Sequence, residues 1–310
     1  MNWLDEVNKP RKPAPIRALI YGIEGVGKST FGADAPSAIF ISAEGGTSRI
    51  KGAKEMPRIK TWDDVMDAVS KLTKDKHPFK TLVIDSADWV EKIAHAKIIG
   101  ESNKDIIRVN GGYGAGYRES ERMHKELIDA LTELYQTRDM NVIVTAHYHV
   151  KTAKDPEAIQ DYDTFQIKCH EFVSSLWREW CETILFARFE TLVKADKDAD
   201  KGRALGTGRR LMYTQQRPAF AAKNRFNLPF EMEVSWSEFE ARVKEFEDGM
   251  NPYTIESVTS ELEACLKLIS DETLVKRISV AINNAGGEVD KLVKILQHAK
   301  ATLPAPGAKQ

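Results

Sequence analysis

Cysteine is scarce in this chain of 310 residues: Cys169, Cys181 and Cys265 are the whole complement. Three scattered thiols exclude a disulfide framework and a cysteine-rich zinc site, and they fit a reducing compartment. Long apolar runs are missing too. Nowhere do eighteen apolar residues follow one another, and the start, Met1-Asn2-Trp3-Leu4-Asp5-Glu6, lacks the basic-then-apolar pattern of an export signal. The sequence therefore predicts a soluble, cytoplasmic chain with no membrane partner. There is no excess of one charge either, because 45 Lys and Arg face 46 Asp and Glu for a net charge of −1. Any nucleic-acid surface must then be a local patch. What is present is 42% hydrophobic and 29% charged residues, which suits one large α/β domain with a small appendage.

Within that composition the most informative stretch is Gly22-Ile23-Glu24-Gly25-Val26-Gly27-Lys28-Ser29-Thr30, directly after the apolar run Ile16-Arg17-Ala18-Leu19-Ile20-Tyr21. The pattern predicts a strand, a glycine-rich loop and a helix start, which is the setting of a P-loop. Glycines let the backbone curl so that its N–H groups face a polyphosphate, Lys28 reaches the β and γ phosphates, and the Ser29 hydroxyl holds Mg²⁺. Gly22, Gly25, Val26, Gly27, Lys28, Ser29 and Thr30 are the expected nucleotide contacts, with ATP and Mg²⁺ as the expected cofactors.

Further strands are expected at 38–42, 81–85 and 141–145, each short and apolar, as in sheets buried on both faces. Helical spacing separates them. Val65, Met66, Val69 and Leu72 share one face, as do Met123, Leu127, Ala130, Leu131 and Leu134. The alternation predicts a mostly parallel sheet covered on both sides. Residues 183–192 and 209–216 read as an antiparallel edge hairpin flanking a charged loop. The prolines and cations of residues 1–15 predict an irregular arm. A boundary is expected at Asp248-Gly249-Met250-Asn251-Pro252, so that the core covers 16–248, three short helices fill 254–303 and a loose tail covers 304–310.

The acidic residues narrow the type of P-loop machine. Asp85 ends an apolar strand, before Ser86 and Ala87, and is placed to hold the Mg²⁺ hydration shell, yet no glutamate sits beside it to activate water. Glu44 lies just past the strand 38–42, where the carboxyl ends of parallel strands face the nucleotide, and is the candidate base. Together, Phe40 to Glu44, Val83 to Ala87 and the P-loop resemble the RecA family of recombination ATPases, over about residues 14–235. Glu44-Gly45-Gly46-Thr47, the stretch Gly111 to Tyr117 and Ala222-Lys223-Asn224-Arg225 are similar to the reduced RecA-like ATPases of bacteriophages, including single-strand annealing proteins.

That resemblance implies a RecA-like ATPase core, hydrolysis of ATP, and single-stranded DNA as partner in annealing or strand exchange, in a host bacterium's cytoplasm if the chain is phage-encoded. It implies self-association into a ring or filament, with Lys223 and Arg225 reaching a neighbour's γ-phosphate; spaced by two, they would share one face of a strand. His147 stands where the family carries a phosphate-sensing glutamine, although a strand-end histidine also serves structural ends. Between Lys194 and Arg225 lie nine Lys or Arg and three Asp, with Tyr213, Phe220 and Phe226 interleaved. Arg203, Arg209, Arg210 and Arg217 are the expected phosphate contacts there, with the aromatic rings stacking on bases. The loop 151–168 occupies the position of a RecA DNA-binding loop. The C-terminal helices are a candidate surface for a single-strand-binding or replication protein. Ring helicases, packaging ATPases and nucleotide-switched recruiting modules share the P-loop and remain as alternatives.

Overall fold

A computed structural model of the chain describes residues 14–57, 59–154, 159–194, 203–250, 255–269, 271–286 and 288–302. Two compact units divide the described residues, one spanning Ala14–Phe246 and the other beginning at Glu247; the expected arm, up to position 13, lies outside the described residues. The larger unit begins with β1 (Arg17–Gly22), α1 (Lys28–Ala33), β2 (Ala38–Ser42), β3 (Lys54–Glu55), α2 (Trp62–Lys74), β4 (Thr81–Asp85) and α3 (Ala87–Ile99). It continues through α4 (Ala115–Arg138), β5 (Asn141–Ala146), β6 (Tyr148–Ala153), β7 (Tyr162–Ile167), α5 (Glu171–Trp180), β8 (Thr183–Lys194), β9 (Arg203–Tyr213), β10 (Lys223–Asn224), β11 (Glu231–Glu233) and α6 (Trp236–Met250).

The main sheet runs in the order β11-β9-β8-β1-β5-β4-β2-β3, with β10 also on β8. From β8 to β3 all neighbours are parallel, while β9, β10 and β11 add antiparallel pairs at the other side. Fold class is as the apolar strands predicted: an α/β fold with a mostly parallel mixed sheet. Alternate residues of each central strand serve opposite faces. Leu19, Leu82 and Val142 pack with Val69 of α2, Leu131 of α4 and Trp177 of α5, whereas Ile20, Val83 and Ile143 pack with Phe31 of α1 and Trp236 and Phe239 of α6. Because both faces are covered, the parallel strands read as unbroken apolar runs. Phe31 meets the Trp236 and Phe239 rings at centroid distances of 5.4 and 5.6 Å, joining the P-loop helix to α6. Truncating such a buried ring costs about 3–5 kcal/mol.

Local chemistry sets the ends of the helices. At α2, the Asp64 N–H donates to Thr61 Oγ1 (3.2 Å) and the Thr61 N–H donates to Asp64 Oδ2 (2.8 Å), a reciprocal cap worth about 1 kcal/mol. Four boundaries depart from expectation. β9 starts at Arg203 rather than 209, so the hairpin is longer and the loop between its strands shorter, with 195–202 outside the described residues. β11 flanks β9, so the hairpin does not itself form the sheet edge. Asp248 and Gly249 lie in the last turn of α6, where packing of the rest of the helix outweighs their turn preference. The segment 151–168 is mainly an antiparallel hairpin, β6 with β7, and not an open loop. In the smaller unit α7 (Ile255–Leu268), α8 (Glu272–Asn284) and α9 (Val289–Ala301) bury Val258, Leu262, Ile278, Leu292 and Leu296 together. Among the described residues no helix is long and apolar enough to cross a membrane.

Candidate nucleotide site

The carboxyl ends of β1, β2, β4 and β5 converge, and each carries a polar group that its strand positions. After β1 the chain turns through Gly22, Gly25 and Gly27, all with positive φ (147°, 73° and 102°), before α1 starts at Lys28. Gly22 is tightest, because a Cβ there would lie 1.8 Å from the Ala187 carbonyl oxygen on β8. A Cβ built on Gly25 would meet nothing within 4 Å beyond its chain neighbours, so that side of the loop is open. The Lys28 ammonium is buried and donates to the carbonyls of Gly22 (3.0 Å) and Ile23 (2.9 Å). Burial lowers its pKa below the usual lysine range, opposed by the fields of Glu24, Asp85, Glu44 and Asp88. The fields of four carboxylates thus act on one lysine.

Asp85 is buried at the end of β4 and accepts a hydrogen bond from the Thr145 hydroxyl at 2.5 Å. Its own carbonyl accepts from the N–H groups of Ala43 (2.8 Å) and Glu44 (3.3 Å), which ties the loop after β2 to the end of β4. Glu44 is therefore held over the site by backbone as well as by sequence position. Across from it, His147 Nε2 lies 3.8 Å from Glu44 Oε2, and His147 Nδ1 lies 3.0 Å from Asp88 Oδ2. The His147 N–H donates to Asp88 Oδ1 (3.1 Å), as does the Ser86 hydroxyl (2.8 Å). Burial works against the Asp88 charge, but the bonds from His147 and Ser86 prevail and hold the carboxyl below the usual aspartate range. The bond to Asp88 in turn raises His147 above the usual histidine range. Asp88, His147 and Glu44 form one polar line leading into the P-loop.

The donor set suits Mg²⁺. Ser29 and Asp85 offer hard oxygen ligands, and among the described residues no cluster of three or more His, Cys, Asp or Glu side chains is arranged to hold a metal ion. A metal at Ser29 and Asp85 would complete its shell with water and phosphate oxygens.

A family model described as the AAA domain matches residues 14–226, well over half of the chain. The chain belongs to the AAA domain family. No curated protein matches it. The match covers every strand from β1 to β10, so the AAA domain of this chain is the P-loop ATPase-type unit just described, and the smaller helical unit lies outside the match.

The other expected site residues are placed elsewhere in the AAA domain. Lys223 donates to the carbonyls of Arg178 (2.8 Å), Glu179 (3.1 Å) and Cys181 (2.6 Å), capping the C-terminal end of α5. β10 ends at Asn224, so Lys223 and Arg225 do not share a strand face as their spacing suggested; Arg225 is exposed beyond it. Arg203 starts β9. Arg209 is exposed and ion-paired with Glu190 (3.5 Å) and Glu233 (3.4 Å), and Arg217 lies over the Phe230 ring at 4.0 Å. Arg210 points the other way, toward Gly27. Phe220 and Phe226 are buried in the two core clusters, which overturns their expected role as base-stacking platforms.

Two acids of α3 escaped the sequence reading. Asp88 and Glu91, one helical turn apart, hold the two roots of the β6–β7 hairpin: Asp88 takes the His147 N–H before β6, and Glu91 takes the His170 N–H after β7 (3.0 Å to Oε1). Burial raises the Glu91 pKa to about 7. The spacing Asp85-Ser86-Ala87-Asp88 was the available signal, but an acid in the first turn of a helix reads first as a partner of the helix dipole. In the glycine-rich stretch Gly111 to Tyr117, Gly116 is a packed helix residue against Ile106, and Tyr117 stacks on His170 at 3.9 Å. Only Tyr113 of its two tyrosines is fully exposed.

Proposed function

We propose that this AAA domain protein hydrolyses ATP with Mg²⁺ and uses the reaction on single-stranded DNA, in recombination of the phage RecA-like type. The observation that supports the hydrolytic reading is the bond from the Glu44 N–H to the Asp85 carbonyl, which holds the Glu44 backbone against the end of the strand that carries the residue suited to Mg²⁺. In this reading Lys28 binds phosphate oxygens, Ser29 and Asp85 hold the metal shell, and Glu44 orients and deprotonates a water. His147, fixed through Nδ1 by Asp88, turns Nε2 toward Glu44 and donates from it when the ring is protonated. Arg225, exposed and unburdened by the helix-capping role that occupies Lys223, is the residue proposed to reach a neighbouring subunit in a ring or filament.

The DNA reading rests on the six-charge surplus between Lys194 and Arg225 and on exposed Arg209 and Arg217. With Phe220 and Phe226 in the core, it relies on phosphate contacts, so affinity should fall steeply with salt. Phosphate release by the full chain, with and without single-stranded oligonucleotide, tests both halves. Glu44→Gln is expected to retain Mg²⁺-ATP binding while turnover drops about 10²- to 10⁴-fold. Unchanged turnover would remove Glu44 from the chemistry. Anisotropy of a labelled oligonucleotide should report binding at low salt, with a slope against log salt flattened by about one unit for each phosphate-binding cation removed, as in Arg209→Ala and Arg217→Ala. No binding at low salt would leave a nucleotide-switched recruiting module as the better account.

A further inference from the structure

We propose that Arg210 is a phosphate-binding residue of the nucleotide site, supplied within the same chain by β9; this rests on the reading of the P-loop as a nucleotide site. Strand alternation separates it from its neighbour. Arg209 projects to the face where Glu190 and Glu233 pair with it, whereas Arg210 shares the face of Met212, which packs in the cluster containing Val26 and Phe31 of the P-loop region. The side chain runs along the loop itself. A Cβ built on Gly27 would lie 3.3 Å from Arg210 Nη1 and 3.9 Å from Arg210 Cδ. Gly27 immediately precedes Lys28, so a guanidinium in that position borders the cradle formed by the loop N–H groups.

Two further observations point to an anionic ligand. Among the described residues no carboxylate pairs with Arg210, although four carboxylates act on the nearby Lys28 and two pair with the adjacent Arg209. The backbone beneath it is pinned on both sides, by pairing with Phe189 of β8 and by the Val234 N–H donating to the Arg210 carbonyl at 3.0 Å. A guanidinium on a fixed strand, with five donors and no acid to satisfy them, matches the fork geometry of phosphate oxygens. The ligand class is the polyphosphate of a nucleoside di- or triphosphate. The φ of 102° favours glycine at 27, and a Cβ there would press on the arginine, which would have to give slightly.

Titration of the full chain with a fluorescent ATP and a fluorescent ADP analogue tests the assignment. Arg210→Ala and Arg210→Gln are expected to weaken both nucleotides about ten- to hundredfold, the range for removing a charge-assisted hydrogen bond, with Arg210→Lys between them and wild type. Arg242→Ala, which removes an exposed cation of α6 paired with Glu245, is the charge-matched control and should bind as wild type. A thermal melt without nucleotide identifies any variant that loses binding by unfolding, and the Gln and Lys variants then carry the comparison. Wild-type affinity in the Gln variant would overturn the proposal. Loss of oligonucleotide affinity with unchanged ATP affinity would overturn it too, returning Arg210 to the DNA surface. Failure of wild type itself to bind either nucleotide would take down the P-loop reading first, a result visible before any variant is compared.

Discussion

At the carboxyl ends of β2, β4 and β5, ionisable side chains are buried or half-buried and bonded to one another; along residues 203–225 cations are largely exposed and bonded to acids, a ring or carbonyls. Asp85, Asp88 and His147 illustrate the first pattern, Arg209, Arg217 and Lys223 the second. Low local dielectric makes each bond in the first region strong and each missing partner expensive. Water and salt screen the second, so single contacts there are worth about 1 kcal/mol or less. A charge in the first region is therefore tied to one identity, while charges in the second, the proposed role of Arg210 apart, are exchangeable.

The contrast is broken most severely at Asp88. Asp88→Asn is expected to destabilise the larger unit by about 3 kcal/mol, since it leaves a half-buried imidazole without its charged partner, while the amide oxygen still accepts the His147 N–H. The loss should depend on pH in a defined sense. His147, raised above its ordinary 6.5, contributes stability that is full below that value and disappears as pH climbs through the folded-state pKa; Asp88, lowered from 3.8, contributes above that value and loses its part as pH falls through its own folded-state pKa. Melting of wild type and variant should therefore differ most in mildly acidic buffer. A constant difference from about pH 4 to 9 would mean that the pair is not ionic.

Glu91 sharpens the comparison from the opposite direction. Its carboxyl, raised by burial from 4.5 to about 7, binds its proton more tightly in the folded chain, so stability should decline between those values as pH rises, by up to about 3 kcal/mol. Glu91→Gln should flatten that decline and leave the variant more stable than wild type at about pH 8. The smallest effect belongs to Lys223→Ala, which frees three carbonyls at the end of α5 that water can reach. About 1 kcal/mol of stability should go, measured by urea unfolding, with nucleotide affinity intact. Weakened nucleotide binding in that variant would contradict the capping role.

Legibility in the sequence followed the same division. Strands buried on both faces are readable because nothing polar interrupts them, and the P-loop is readable because glycine, lysine and serine occur at fixed offsets. Glu44 stands out in the sequence from its place after β2, and the structure ties its backbone to the end of β4. Asp88 and Glu91 do not stand out, because an acid on a helix is usually a solvated one, and only the packing of α3 beneath the hairpin reveals these as buried. The opposite fates of Arg209 and Arg210 follow from strand alternation, yet which side faces the P-loop depends on β11 and α6 folding back. Phe220 and Phe226 look like exposed aromatics among cations; the tight turn from Arg217 to Phe220 is what tucks the first ring inward.

Gly22 joins two segments far apart in the chain as a dovetail joins two boards. With 1.8 Å between a built Cβ and the Ala187 oxygen, even a single added carbon would have to wedge β1 away from β8 at the point where the P-loop leaves the sheet. Gly25, in open space, carries no such constraint beyond its own φ. Two glycines of one motif thus answer to different masters: the first is dictated by carpentry, the second by its own backbone turn. Any side chain at 22 splits the joint and shifts the loop that follows it in one stroke, whereas a change at 25 strains the loop and leaves the timber sound.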